Sequence, residues 1–190
     1  MELRTDRLGV LLDQFDISLD MARQRLDRLG DAEYLWQPSA NAWTIRRRAE
    51  ATTPMAFGAG EWVLDFALET PQPPPVTTIA WRVGHLQFNL RARHEWTFGG
   101  RSRRPEECVT FSPVAADGLA SLWEAAALWR EALATLSDAQ LDTVGFGQFP
   151  YGLDPTLPFI GIVWWVNREL IHHTAEIALL RDLWENRAGR

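Results

Sequence analysis

Four long stretches of the 190-residue chain repeat their apolar residues every three or four positions, and no stretch shows convincing strand alternation. That periodicity constrains the fold to packed helices. The first stretch runs from about Thr5 to Leu29, with Leu8, Leu11, Leu12, Phe15, Leu19, Ala22 and Leu26 on one face and Gly30 as its expected stop. The second starts near Val76–Thr78, where Thr77 or Thr78 is a natural N-cap, and reaches about Phe98 before Gly99-Gly100. The third spans roughly Pro113 to Leu136, with Ser112 as its cap and Pro113 at the first helical position. Ser137 to Gln140 then reads as a short helical turn, and the fourth stretch covers about Phe159 to Trp184.

The connections are long. Residues 35–43 form a Trp-rich loop expected to pack on the core, and 101–108 a charged loop. Within 44–75, Glu61 to Leu68 reads as a short helix or an irregular turn, and Pro71 with Pro73, Pro74 and Pro75 forbids regular structure. Glycines and prolines mark 143–158 as a loop. The expectation is one all-α domain over 1–190, a four-helix bundle with long inter-helix connections that permit crossovers.

Composition then removes several kinds of chemistry. A chain with 46% hydrophobic and 23% charged residues is globular and long enough to bury a core without staples. Its formal charge of −6 makes it a poor nucleic-acid binder, and the clusters Arg46–Arg48 and Arg101, Arg103, Arg104 read as solvated loops. All 19 basic residues are arginine, so no lysine Schiff base and no Walker A loop can form. Cys108 is the only cysteine, which excludes an intrachain disulfide, a cysteine zinc ribbon and CxxC redox chemistry. It lies beside Glu106 and Glu107 with no cationic activator, so it does not read as a catalytic thiolate. The start MELRTDRLGV has no apolar signal region, and the longest apolar run, Phe159 to Val166, is too short to span a bilayer. A cytoplasmic protein with neither a membrane nor a nucleic-acid partner is expected.

The chemistry sits in the fourth stretch. Steps of three and four from Val166 pass Glu169, Leu170, His173, Ile177, Leu180 and Trp184. Glu169 and His173 are the polar members of this apolar stripe, one turn apart and side by side. A carboxylate there needs compensation. A divalent metal supplies it; so does the ordinary alternative, in which Glu169 pairs with Arg82 or Arg181 and His173 is a hydrogen-bonded core residue. His172 and Glu176 form a second pair on a more polar face, from which Glu176 can orient a ligating ring. Of the remaining histidines, His94 reads as solvated. His85 lies mid-helix beside Gly84, whose missing side chain admits another helix or a ligand. His85, Glu169 and His173 would make a His₂Glu set with an open position, suited to catalytic zinc or to iron. Arg82 and Asn89, one turn either side of His85, either contact a bound cosubstrate or make ordinary polar pairs; Trp36, Trp43 and Trp81 belong to the core or to a pocket mouth.

Three stretches carrying these residues resemble the DinB/YfiT-like metalloenzyme superfamily, and are most similar to the branch that includes mycothiol-dependent maleylpyruvate isomerase. They are Leu35-Trp36-Gln37-Pro38 with Asn41-Ala42-Trp43-Thr44; Thr78 to Leu86; and Asn167 to Ile177 followed by Leu180-Arg181-Asp182-Leu183. Many members carry HxxxH on the last helix. Here Glu169 takes the first position, as in the isomerase-like branch, and the implied ligand set is His85, Glu169 and His173. The resemblance implies a four-helix bundle of unusual connectivity, often a homodimer, holding a divalent metal, with zinc expected. It implies a transferase or isomerase in which a mycothiol-like low-molecular-weight thiol, activated by the metal, attacks a small electrophile. Arg82 and Asn89 are then expected to contact thiol or substrate. The alternatives are a non-catalytic metal-binding stress-response or binding module, and a metal-assisted hydrolase.

Overall fold

The computed structural model describes residues 4–145 and 156–187. Most of the expected 143–158 loop lies outside the described residues. Helix α1 (Arg7–Leu26) begins at Asp6, whose carboxylate accepts from the Gly9 N–H at 2.7 Å. It stops earlier than expected. Arg28, at φ +57°, takes the left-handed position assigned to Gly30, and Gly30 instead precedes the short helix α2 (Asp31–Tyr34). Helices α3 (Ile79–Thr97), α4 (Ala115–Ala134) and α5 (Phe159–Glu185) follow. Thr78 caps α3 as expected, accepting from the Trp81 N–H at 3.1 Å. Ser112 does not cap α4: its hydroxyl accepts from the Val114 N–H, and Asp31 reaches across from α2 to accept from the Ala115 N–H at 2.7 Å. The turn after α4 is a 3-10 helix, Asp138–Asp142, with a Ser137/Gln140 capping box.

The all-α expectation needs correction. The chain is mostly helical, but residues 45–66 form a three-stranded antiparallel sheet of β1 (Ile45–Arg47), β2 (Met55–Phe57) and β3 (Trp62–Phe66), in the order β1-β3-β2. Ile45 and Phe57 both stand opposite Leu64, and the three side chains are buried. Glu61–Leu68 is therefore neither helix nor irregular turn but mainly β3. Its pattern was hidden because Val63, Leu64 and Asp65 are all buried, so the strand has no solvent face to alternate with. The sheet packs on α3, and the Phe111 ring fills the space beside Gly84, where an added Cβ would lie 2.9 Å from it.

Helix α1 packs on α5, α5 on α3, α3 on α4 and α4 on α1. The ring is filled by Phe15, Leu122, Trp129, Leu133, Phe159, Leu170 and Ile177. Helices consecutive in the chain are not always neighbours: the passages from α1 to α3 and from α4 to α5 both cross a diagonal. Among the described residues, no helix is long and apolar enough to cross a membrane.

Candidate metal centre

The contact of α3 with α5 brings together the three residues singled out in the sequence. His85 comes from α3, and Glu169 and His173 from successive turns of α5. One donor atom from each lies within 4.8 Å of the others. Glu169 Oε2 stands 3.1 Å from His173 Nε2 and 3.5 Å from His85 Nε2, and the two imidazoles are perpendicular with centroids 4.7 Å apart. The His173 side chain is 7% exposed, that of Glu169 15% and that of His85 17%, so the cluster sits just beneath the surface.

Around this cluster the carboxylates are already engaged. Glu169 Oε1 accepts from Arg168 at 2.8 Å. Glu176 Oε2 lies 2.6 Å from His173 Nδ1, and its Oε1 lies 3.0 Å from Arg82 Nη2. Burial works against charge on both carboxylates, but hydrogen bonds from His173 to each, with His85 and Arg168 adding at Glu169 and the Arg82 charge at Glu176, hold both below the ordinary carboxyl range. Burial also opposes an imidazolium at His173, yet hydrogen bonds to Glu169 and Glu176 outweigh it and raise its pKa. His85 goes the other way: burial dominates and lowers its pKa.

The donor set fits a divalent cation. Glu176 takes the Nδ1 proton of His173, which turns the other ring nitrogen, Nε2, towards a carboxylate oxygen. His85 Nε2 faces that same oxygen. Acceptors converging in this way need a positive charge between them, a proton or a metal ion. A second group of donors, His172, His173 and Glu176, does not fit as well. The Arg82 guanidinium already stands there, 3.0 Å from Glu176 and 3.2 Å from His173 Nδ1, and supplies the cation.

The other expected residues are placed as follows. Asn89 is buried with Nδ2 3.0 Å from His85 Nε2, and Arg82 lies over the Trp81 ring. Arg181 is not a partner of Glu169: it forms a two-pronged pair with Glu33 of α2. Gly84 admits neither another helix nor a ligand, since Phe111 and Leu64 occupy the space. Trp43 leans on Trp81, whereas Trp36 packs on Trp184 at the end of α5. His94 is half-buried rather than solvated and shares a small cavity of about 140 Å³ with Arg91, Glu95, Arg103, Cys108 and Leu128. Two features of the site had no sequence signal of their own: Arg168 as the partner of Glu169, because adjacent helical residues ordinarily diverge, and Asp65, whose carbonyl receives the Trp81 indole N–H at 2.7 Å.

The sequence profile of the DinB superfamily matches residues 14–177, which includes all three candidate ligands. The chain belongs to the DinB superfamily. Membership agrees with the mostly helical fold and with a His/Glu cluster on two packed helices, and is consistent with a metal-dependent enzyme. No curated protein matches this DinB-superfamily chain. No solved structure matches it either.

Proposed function

We propose that this DinB-superfamily protein is a divalent-metal-dependent enzyme in which His85, Glu169 and His173 hold the ion and a low-molecular-weight thiol is the nucleophile towards a small electrophile. The observation that carries the reading is the convergence of two imidazole nitrogens on one oxygen of Glu169. Zinc suits such a His₂Glu set. When bound, the ion would supply Lewis acidity and lower the pKa of a coordinated thiol, so that thiolate persists near neutral pH.

The chain's own residues do the rest. Glu176 keeps the His173 ring in one orientation and one tautomer. Arg168 restrains the far oxygen of Glu169, leaving Oε2 for the site. Arg82 and Asn89 flank the ligands and offer N–H groups for the polar part of a thiol or substrate. Cys108 does not compete as the nucleophile: burial raises its pKa, with the Glu95 charge adding to the effect, and it lies in a cavity with His94 rather than with His85. The nucleophile therefore arrives with a cosubstrate, which suits a reducing cytoplasm.

The test starts with metal analysis of purified protein beside His85→Ala and His173→Ala. Near-stoichiometric zinc or another divalent ion, lost in both variants, is expected. Metal-dependent consumption of an electrophile only when thiol is added would support the transferase or isomerase reading. Equal turnover without thiol would replace it with metal-assisted hydrolysis, and a wild type that resists reconstitution would remove the metal from the account.

A further inference from the structure

The two histidines of the cluster are held in different ways. His173 donates through Nδ1 to Glu176, the usual means by which a ligating ring is oriented. His85 has no such bond: its Nδ1 is buried and without a hydrogen-bond partner among the described residues. An imidazole free to swing about its Cβ–Cγ bond would aim Nε2 at Glu169 only part of the time, and a site loose by about half an ångström loses its geometry. Asn89 Nδ2, 3.0 Å away, meets the same Nε2 that must stay open for a ligand, so the contact that steadies the plane of His85 without occupying that nitrogen is on its face.

Trp81, one turn earlier on α3, lies flat against it. The ring centroids are 4.9 Å apart and the planes differ by 9°. Trp81 is itself tethered, since its indole N–H donates to the backbone carbonyl of Asp65 at 2.7 Å. Asp65, on β3, is fixed in turn. It is 1% exposed, its backbone N–H donates to Thr44, and its carboxylate accepts from the Thr44 N–H and from both Nε and Nη2 of Arg46. An unbroken line of contacts thus runs from the sheet to the imidazole.

We infer that Trp81 is a positioning residue for His85, and that the sheet inserted between α2 and α3 holds Trp81 in place through the Asp65 carbonyl. Rotation of His85 drives its edge into the indole face, and the tether stops the indole from turning aside. This inference rests on the metal-centre reading, but the restraint belongs to the chain itself and exists whether or not an ion is bound.

The test compares wild type, Trp81→Phe, Trp81→Leu and His173→Ala, with circular dichroism and thermal melting to establish folding. Phe keeps a flat face but loses the tether; Leu loses both. Co²⁺ affinity is read by competition with a chromophoric chelator, and site geometry from the visible spectrum of the Co²⁺ protein. In metal-free protein, the rate at which diethylpyrocarbonate modifies His85 is followed by peptide mass spectrometry. Trp81→Leu is expected to lose about 10–100-fold in Co²⁺ affinity, the usual range for a lost orienting contact, with an altered spectrum. It should also expose His85 to faster modification. Trp81→Phe should fall between Leu and wild type in both affinity and rate. A folded Trp81→Leu with wild-type affinity, spectrum and modification rate overturns the proposal. If Trp81→Leu does not fold, Trp81→Phe decides: wild-type values overturn the proposal, and losses in both support it. If wild type binds no Co²⁺, the metal reading fails by itself and the metal-free modification rates still decide the role of Trp81.

Discussion

Cys108 illustrates how environment sets the behaviour of a single side chain. Its pKa is raised by burial, with the Glu95 charge adding to the shift, and its S–H lies 3.5 Å from the Arg104 carbonyl. Thiolate is the reactive form, so alkylation by iodoacetamide at pH 7.5 is expected to run more slowly than for a free cysteine. A rate equal to that of the free amino acid would show an activated thiol and reopen the question of the nucleophile. Glu106 and Glu107, which disfavour a thiolate, were legible in the sequence; that Arg91, His94 and Arg103 share the cavity with Cys108 was not, and burial with Glu95 outweighs them. Glu169 and His173 were legible for a related reason: a carboxylate and an imidazole interrupt an otherwise apolar stripe. Pairings across elements were not. That Arg82 goes to Glu176, and Arg181 to Glu33, depends on which helices meet, and helical spacing carries no information about that.

At the scale of elements, α3 couples the sheet to the rest of the fold through its packing against Phe111. Gly84→Ala would ordinarily stabilise a helix interior by about 1 kcal/mol. Here the added Cβ would lie 2.9 Å from the Phe111 ring and 3.1 Å from Leu64, both fixed by packing. Overpacking of this kind costs about 1–3 kcal/mol, so the net effect should be destabilising, seen as a lower urea midpoint with an unchanged slope. A midpoint at or above wild type would mean that the sheet yields easily. Helices α1, α4 and α5 were readable because each has an apolar face and a solvated one, and α3, which has no exposed residue, from the length of its pattern between the Thr78 cap and Gly99-Gly100. The strands were not: β1 and β2 are three residues each, too short to establish a period, and the central residues of β3 are all buried. The end of α1 was misplaced because Arg28 accepts a left-handed conformation that glycine normally takes.

At the scale of the whole molecule, Arg7 joins the start of α1 to the turn that precedes the passage to α5. It pairs with Asp138 at 3.0 Å and Asp142 at 2.7 Å, while Asp138 also accepts from the Leu8 N–H. The Leu8 and Arg7 bonds hold the Asp138 carboxyl below its ordinary 3.8, and Arg7 does the same for Asp142. Because both are depressed in the folded chain, their contribution is complete above pH 3.8 and is lost as pH falls through the lower folded values. The melting temperatures of wild type and Arg7→Met should therefore differ near pH 6, converge in strong acid and approach each other in high salt, since these groups are solvent-exposed. A gap that persists at pH 2 would show that Arg7 contributes packing rather than charge. Long connections made crossovers permissible, but only the structure shows which pairs of helices lie diagonally. That arrangement has a consequence for synthesis on the ribosome. The α5-facing side of α1 and the α3 candidate ligand His85 both await α5, which follows the other described helices in the chain. At about 5–20 residues per second, the part of the α1 apolar face that meets α5 rather than α4 stays uncovered for on the order of ten seconds while some 130 residues are added. The candidate ligand set is complete only once α5 has been made, which would place any uptake of a metal after the synthesis of that helix.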